Sequence, residues 1–304
     1  MKKIIAGALV VVLLILAGCG NSQPTTGNVV ASGEIKTLKM GLIPADDAVE
    51  MLRDYEPVKD YLSEKLGIPV EIQVTSDYTA AIEAMRAKHI DMAWFGPFSY
   101  IIASNVANAE AIVNGVKEST GTSTYKSIII ANAKSEIKTL DDLKGKSFAF
   151  VDPASTSGNL IPRKILIEAG IDPDRDFSET FFAGTHNAVE YAVANGKVDA
   201  GADSDNSYDR MLESGEIDPE VNLIIYESEP IPGSPIAVRG DLPKELKNKI
   251  QQALIDMDEQ TIHKVDGWGG IAKYQAVEDS DYDVIRDTAK ILGMDVTSAE
   301  AANK

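Results

Sequence analysis

Two runs of alternating strand and helix patterns are the feature of this sequence that most limits its fold. In each run, short β-rich apolar segments alternate with longer segments whose apolar residues recur at helical spacing. Strands joined by helical crossovers pair in parallel, so each run predicts a parallel α/β unit. The first run predicts strands at residues 38–44, 70–74 and 90–94, with helices at 49–66 and 78–88 between them.

The second run predicts a similar unit, followed by a helical C-terminal part. Its strands are predicted at residues 147–151, 180–182 and 198–202, and its helices at 156–169 and 188–195. A β-rich segment at 126–132 leads into it, a proline-containing segment at 223–238 leads back, and the clearest later helix is predicted at 243–262.

A chain that crosses over and returns predicts an α/β protein of two lobes joined by a two-strand hinge. The predicted first lobe comprises residues 38–126 and 228–304, and the second comprises 127–227. A ligand would lie in the cleft, at the loops that follow the strands. Two independent domains are the alternative, which would not require the returning segment.

The N-terminus predicts secretion. Lys2 and Lys3 precede an apolar run at residues 4–16, which is shorter than the roughly 20 residues of a transmembrane helix. Residues 1–18 therefore predict a signal peptide, and Leu-Ala-Gly-Cys19 resembles the lipobox of bacterial lipoproteins, in which the cysteine is acylated. The alternative is an ordinary secretory peptide cut nearby. Residues 19–37 predict a flexible tether to the cell membrane on its outer side.

Charge and cysteine content exclude several classes of protein. Once the two signal lysines are removed, 27 basic side chains face 47 acidic ones, a net charge of −20. Such a field opposes binding to nucleic acids and anionic membranes. With one cysteine, the chain can form neither an internal disulfide nor a thiolate metal cluster, and we expect no metal or other cofactor.

The segment Asp-Pro-Ala-Ser-Thr-Ser-Gly at residues 152–158 is the clearest candidate for a binding site. It lies between a predicted strand and a predicted helix, where unpaired N–H groups and the helix dipole attract an anion. An ordinary N-cap is the alternative, but capping needs one hydroxyl and this segment has three. Pro162 predicts a short or kinked first turn.

Two further loops follow strands of the same unit. His186 stands at a predicted helix start, where it could donate a hydrogen bond to an oxyanion, although a lone histidine is more often structural. The loop that begins at Asp203 superficially resembles a calcium loop, but its sixth position is Tyr208 instead of glycine and its twelfth is Ser214 instead of glutamate. A solvated acidic turn is the simpler reading. The three loops could converge on one cleft.

The order of short motifs along the chain resembles the phosphate, phosphite and phosphonate binding-protein family of ABC transporters. The resemblance spans nearly all of the mature chain, and the Ser-Thr-Ser-Gly element and its spacing to the histidine discriminate best. The motifs are Asp77-Tyr78, Ala93-Trp94-Phe95-Gly96-Pro97, Tyr125-Lys126-Ser127, the segment at 152–158, His186 and Ile231-Pro232-Gly233-Ser234-Pro235.

The resemblance implies a type II periplasmic-binding-protein fold and a set of ligand-binding residues. It also implies an ABC permease and ATPase as partners. Asp205 is the best positional match for an acidic ligand-binding residue, with Asp203 and Tyr208 as neighbouring alternatives. The other implied residues are Ser155, Thr156 and Ser157, which would cradle ligand oxygens, His186, which would donate to another, and Tyr78 and Tyr125, which would reach in from the first lobe and its hinge edge.

Ser234 departs from the family pattern, because members that recognise an aminoethyl tail carry an acid in the Pro-Gly-x-Pro turn. Ligands without an amine, such as phosphite, methylphosphonate or phosphate, are therefore favoured. An ionised Asp205 would accept a hydrogen bond from a P–OH group and repel sulfate, which has no proton to offer at neutral pH.

Two other functions are alternatives to anion binding by this family. The side-chain types of a hydrolase triad are present in Ser155 or Ser157, His186 and Asp205, but the Gly-x-Ser-x-Gly nucleophile motif is absent around these serines. The same fold could also bind a sulfonate, a thiamine precursor or another organic anion. We therefore predict a binding protein and not an enzyme.

Overall fold

The computed structural model describes residues 35–262 and 270–299. The predicted signal peptide at 1–18, Cys19 and nearly all of the predicted tether lie outside the described residues. No helix among the described residues is both long enough and apolar enough to cross a bilayer.

Helices and strands alternate through most of the described chain, as the sequence patterns predict. The strands are β1 (Leu38–Leu42), β2 (Val70–Val74), β3 (Met92–Trp94), β4 (Ala109–Lys117), β5 (Thr124–Tyr125), β6 (Ser127–Asn132), β7 (Ser147–Phe150), β8 (Glu179–Phe182), β9 (Ala200–Ser204), β10 (Asn222–Glu227), β11 (Ile231–Pro232), β12 (Pro235–Arg239) and β13 (Ile271–Ala276). The helices are α1 (Ala48–Leu66), α2 (Tyr78–Arg86), α3 (Pro97–Ala107), α4 (Ile161–Glu168), α5 (His186–Ala194), α6 (Asp205–Glu213), α7 (Lys244–Ile255), α8 (Glu259–Ile262) and α9 (Asp283–Ile291).

Eleven of the described strands form two open mixed sheets, of six and five strands, whose strands follow an equivalent order. The first sheet runs β13-β4-β12-β3-β1-β2, and the second runs β10-β6-β9-β7-β8. In the first, β1 pairs in parallel with β2 and β3; in the second, β7 pairs in parallel with β8 and β9. Both predicted parallel units are therefore confirmed. We call the regions around these sheets the first and second lobes.

Each sheet also contains an antiparallel strand that adjoins a crossing between the lobes. In the second sheet, β6 pairs antiparallel with β9, and in the first sheet β12 pairs antiparallel with β3. The two crossings pair with each other, because β5 and β11 form a short antiparallel ladder between the sheets. This ladder is the predicted two-strand hinge.

Two predicted helices end earlier in the structure than their apolar periodicity suggests. The helix predicted at 78–88 ends at Arg86, because Lys88 adopts a left-handed backbone with φ of 61°. The helix predicted at 243–262 ends at Ile255, and a short second helix follows. Asp258 starts that second helix, since its carboxylate accepts from the Thr261 amide at 2.9 Å.

Candidate functional site

The loop between β7 and α4 contains the hydroxyl-rich motif. Ser155 caps the following turn, because its hydroxyl accepts from the Gly158 amide at 3.1 Å. Residues Thr156–Leu160 form a wide π-turn before α4, whose first turn contains Pro162. The predicted irregular helix start is confirmed. Capping uses one of the three hydroxyls, which leaves the other two for different partners.

A small cavity lies beside this motif, and we call it the inner cavity. It contains about 300 Å³ of space outside protein atoms, including space open to solvent. Seven of the predicted or alternative site residues line it: Tyr78, Tyr125, Ser155, Thr156, Ser157, His186 and Ser234. The remaining lining residues are Ile43, Ala45, Trp94, Gly96, Ser204 and Asn206.

Five helices begin at the inner cavity in the described part of the chain. Tyr78 and His186 are the first residues of α2 and α5, and Ser155 caps the turn that leads into α4. Gly96 and Ser204 are the N-caps of α3 and α6. Helix starts carry partial positive charge and unpaired N–H groups, so the wall attracts anions. No lysine or arginine is among the described residues that line the cavity.

Groups of the first lobe contact the motif across the inner cavity. The Phe98 amide donates to Thr156 Oγ1 at 2.8 Å, and the hydroxyls of Tyr78 and Ser155 lie within hydrogen-bonding reach of each other. Tyr78 is itself positioned at the start of α2, because Asp77 caps that helix. Burial raises the pKa of the Tyr78 hydroxyl, which therefore remains a protonated donor at neutral pH.

Tyr125 reaches the same motif from the hinge. It is the last residue of β5, and the hydroxyls of Thr156, Ser157 and Ser234 lie within hydrogen-bonding reach of its phenol oxygen. Burial raises the pKa of Tyr125, and these hydroxyls oppose the shift. The hinge thus supplies a neutral donor to the wall of the cavity.

His186 is backed by a buried chain of polar groups. Its Nδ1 contacts the Asp203 carboxyl, which interacts with Glu190, and the Asn222 amide donates to Glu190 at 2.5 Å. All four residues are buried. Burial lowers the pKa of His186 to about 4, raises that of Asp203 to about 8, and raises that of Glu190. The imidazole and at least one carboxyl are therefore neutral at pH 7.

A proton shared by the Glu190 and Asp203 carboxyls explains how their buried oxygens are hydrogen-bonded. Among the described residues, Glu190 Oε1 and Asp203 Oδ2 are buried without a hydrogen-bond donor. A proton on Glu190 can be donated to Asp203, which pairs these two oxygens and leaves Asn222 Oδ1 without a donor among the described residues. Asp203 contacts His186 and is not among the residues that line the inner cavity, so it lies behind the cavity wall.

An ion pair that the sequence analysis did not predict joins the lobes nearby. Arg210 of α6 donates to the Asp46 carboxylate at 2.5 Å, and both side chains are largely buried. Asp46 follows β1 in the first lobe, and the adjacent Ala45 carbonyl accepts from the His186 amide at 2.8 Å. Burial raises the pKa of Asp46 to about 6, and Arg210 opposes the shift. No local sequence pattern indicated this pairing, because the partners are far apart in the chain.

Asp205 and Tyr208 lie outside the wall of the inner cavity. The Asp205 carboxylate accepts from the backbone amides of Lys126 and Asn206, each at 2.9 Å, and from Lys117 Nζ at 3.3 Å. The Tyr208 hydroxyl donates to the Asn222 carbonyl, which makes it a core group. The predicted ligand contact of Asp205 stays a prediction, and its neighbour Asn206 lines the cavity instead.

Comparison with known proteins identifies the family. Residues 40–282 match the family described as "ABC transporter, phosphonate, periplasmic substrate-binding protein". The phosphate-import protein PhnD of Mycolicibacterium smegmatis is 32% identical over 314 residues, which cover 96% of each chain. The phosphonates-binding periplasmic protein of Escherichia coli is 30% identical over 267 residues, or 85% of this chain and 78% of that protein.

A solved structure agrees with this assignment. The binding protein component of an ABC phosphonate transporter from Pseudomonas aeruginosa has a TM-score of 0.78 and 27% identity, covering 88% of this chain and 89% of its own. The predicted type II periplasmic-binding-protein fold is thereby confirmed, and the family is one of transport proteins and not of enzymes. This chain belongs to the periplasmic substrate-binding proteins of phosphonate ABC transporters.

Proposed function

We propose that this chain is a lipid-anchored extracytoplasmic receptor that captures a small phosphorus oxyanion in the inner cavity and delivers it to an ABC permease. Phosphonate, phosphite and phosphate are the candidate ligands. The relatives named for phosphate import and for phosphonates both support this class of cargo. We further propose lobes at residues 38–126 with 228–304 and at 127–227, the first joined through residues 19–37 to an acylated Cys19.

The convergence of helix starts on the inner cavity is the observation that carries this proposal. A protein with 47 acidic and 29 basic side chains repels anions at long range, so capture requires a local source of positive potential. Oriented N–H groups supply that potential without a mobile cation. The hydroxyls of Thr156, Ser157, Tyr78 and Tyr125 add neutral donors that fit the oxygens of a tetrahedral anion.

His186 completes the proposed anion site from the second lobe. With its Nδ1 held by Asp203, the protonated imidazolium form of the ring would donate from its other nitrogen to a ligand oxygen. A bound anion favours the charged imidazolium, so we expect binding to be accompanied by proton uptake. Asp203 is a positioning residue in this scheme, because it fixes the ring orientation without touching the ligand.

Closure of the lobes follows from the division of the site between them. Tyr78 belongs to the first lobe, Tyr125 to the hinge, and Thr156, Ser157 and His186 to the second lobe. A ligand that contacts both sides stabilises the closed arrangement selectively. The closed form is then the one that we propose the permease recognises.

Calorimetry with a panel of anions tests the proposed ligand class. We expect phosphite, methylphosphonate or phosphate to bind more tightly than sulfate, because a P–OH group can pair with an acceptor in the site and sulfate cannot. An unmatched buried acceptor costs about 1–3 kcal/mol, which corresponds to roughly tenfold to a hundredfold in affinity. Equal binding of sulfate and phosphite would contradict the proposal, and tight binding of a sulfonate would assign the cargo to another class of anion.

The Asp205→Asn variant separates two roles for that carboxylate. If Asp205 accepts a P–OH proton, the variant loses its discrimination between phosphate and sulfate. If it acts by holding the backbone of Lys126 and Asn206, the variant weakens both anions equally. The contacts of the carboxylate favour the second outcome.

A further inference from the structure

A second compartment adjoins the inner cavity, and we call it the outer compartment. It contains about 450 Å³ of space outside protein atoms, including space open to solvent, and it shares four wall residues with the inner cavity. A substituent on a bound phosphorus atom would therefore enter this space. The shared residues are Trp94, Tyr125, Asn206 and Ser234, and the outer compartment is also lined by Gly115, Lys117, Ser123, Thr124, Gly233, Ile271 and Tyr274.

Among the described residues that line the outer compartment, Lys117 is the one that carries a charge. It is the last residue of β4 in the first lobe, and its Nζ lies 3.3 Å from Oδ2 of Asp205, the first residue of α6 in the second lobe. The two side chains are only 14% and 25% exposed, so the pair is poorly screened by solvent.

The Asp205 carboxylate has little freedom to choose another partner. Its Oδ1 accepts from the backbone amides of Lys126 and Asn206, which fixes the group at the junction of hinge and helix. Its other oxygen, Oδ2, accepts from Lys117 Nζ. Asp205 is not among the residues that line the outer compartment, and its negative charge is already neutralised by Lys117, which does line it.

We propose that Lys117 is a specificity-determining residue that excludes phosphorus oxyanions with an ammonium-bearing substituent. This inference rests on the proposed function of the inner cavity. An ammonium group in the outer compartment needs a carboxylate partner, and Asp205 is held by Lys117. The ammonium group would also be repelled by the like charge of Lys117 in a partly desolvated space. Uncharged and anionic substituents face neither penalty.

Binding of two ligands of opposite tail charge tests this role. In Lys117→Met, Asp205 is released and the local charge changes from zero to negative. We expect the affinity for 2-aminoethylphosphonate, relative to methylphosphonate, to rise by about tenfold or more. The affinity for phosphonoacetate, relative to methylphosphonate, should fall. The double variant Lys117→Met with Asp205→Asn should return both ratios toward those of the wild type.

Lys126→Met is the matched control. Its side chain is more exposed and pairs with Glu227 at 2.6 Å, so the substitution removes the same charge outside the compartment wall. We expect both affinity ratios to remain within about twofold of the wild type, since exposed charges are screened. Lys117→Gln provides a second test if Lys117→Met fails to fold.

The outcomes separate this inference from the proposed function. If wild-type protein binds none of the phosphorus oxyanions, the proposed function fails. If it binds methylphosphonate but the Lys117 variants leave the ratio for 2-aminoethylphosphonate unchanged, the role of Lys117 is overturned and the proposed function stands. An equal change in the Lys126→Met control would also overturn it, because the effect would then be one of net charge.

Discussion

The adjacent hydroxyls of Ser155, Thr156 and Ser157 have different surroundings in the structure, although the sequence pattern does not distinguish them. Ser155 caps the π-turn, Thr156 accepts from the Phe98 amide of the first lobe, and the backbone carbonyl of Ser157 accepts from Ser127 Oγ at 2.7 Å within the second lobe. Capping therefore belongs to Ser155, and the ligand binding that we propose for this motif falls to its neighbours. Sequence alone could not separate them, because the separation depends on where the turn begins.

Ser157→Ala should weaken ligand binding without weakening the fold. The side chain loses a hydroxyl that lines the cavity, while the backbone carbonyl keeps its bond from Ser127. We expect an affinity loss of about 1–3 kcal/mol and a change in unfolding free energy below about 1 kcal/mol. Calorimetry and thermal denaturation of the unliganded protein measure the two quantities.

Ser155→Ala is the matched comparison within the same motif. Loss of the cap should lower the unfolding free energy by about 1 kcal/mol in the absence of ligand. A collapse of the unliganded fold in Ser157→Ala, with Ser155→Ala left unaffected, would reverse these assignments.

The buried carboxyls behind His186 predict a pH dependence of stability. Burial raises the pKa of Asp203 from its usual value to about 8, so the folded protein binds a proton that the unfolded chain releases near pH 4. The folded state therefore loses stability as the pH rises toward and through 8. The lowered pKa of His186 changes folding stability with pH in the opposite direction, but only below the unfolded pKa of about 6.5.

Between pH 6.5 and 8.5 we expect the unfolding free energy to fall by about 2 kcal/mol from this group. The other ionisable groups that act on His186 and Asp203 are Asp46, Arg210, Glu190 and Asp152. In Glu190→Gln the amide can donate to Asp203 without titrating, so the fall should be reduced. Urea denaturation at the two pH values measures it, and Glu213→Gln on the exposed face of α6 is the control of equal charge. An equal slope in both variants would contradict the shared proton.

At the scale of single elements, periodicity predicted the strands and helices of both parallel units, but not the ends of α2 and α7. Those ends depend on the left-handed Lys88 and on capping by Asp258, which act over one or two residues and do not change the apolar pattern. The converging hydroxyl residues and His186 could be predicted, because loops that follow parallel strands meet at one edge. Contacts between lobes, such as Lys117 with Asp205, could not, since they depend on how the two sheets face each other.

Gly158 gives a prediction about the start of α4. A Cβ at this position would overlap the side chain of Val151, which directly follows β7. Gly158→Ala should therefore lower the unfolding free energy by about 1–3 kcal/mol through overpacking. Gly96→Ala is the control, because its Cβ would make contacts no shorter than 3.5 Å. Equal melting temperatures of the two variants would show that the turn can shift away from the strand.

At the scale of the whole molecule, α6 links the lobes at two points. Its first residue, Asp205, pairs with Lys117, and Arg210, five residues later, pairs with Asp46. Both partners of the second pair are largely buried, so removal of one leaves a charge without compensation. The proposed closure thus depends on protein contacts as well as on the ligand.

Arg210→Met should favour an open arrangement of the unliganded protein. Asp46 would be buried without its cation in the closed form, and opening would return it to water. We expect a larger radius of gyration by small-angle scattering, compaction on addition of ligand, and weaker binding, because ligand energy must then drive the whole closure. Arg175→Met removes an exposed arginine that pairs with Asp172 within the second lobe, so its scattering should match that of the wild type. If Arg210→Met scatters like the wild type with and without ligand, this ion pair does not govern the relative positions of the lobes, and ligand contacts alone would have to account for closure.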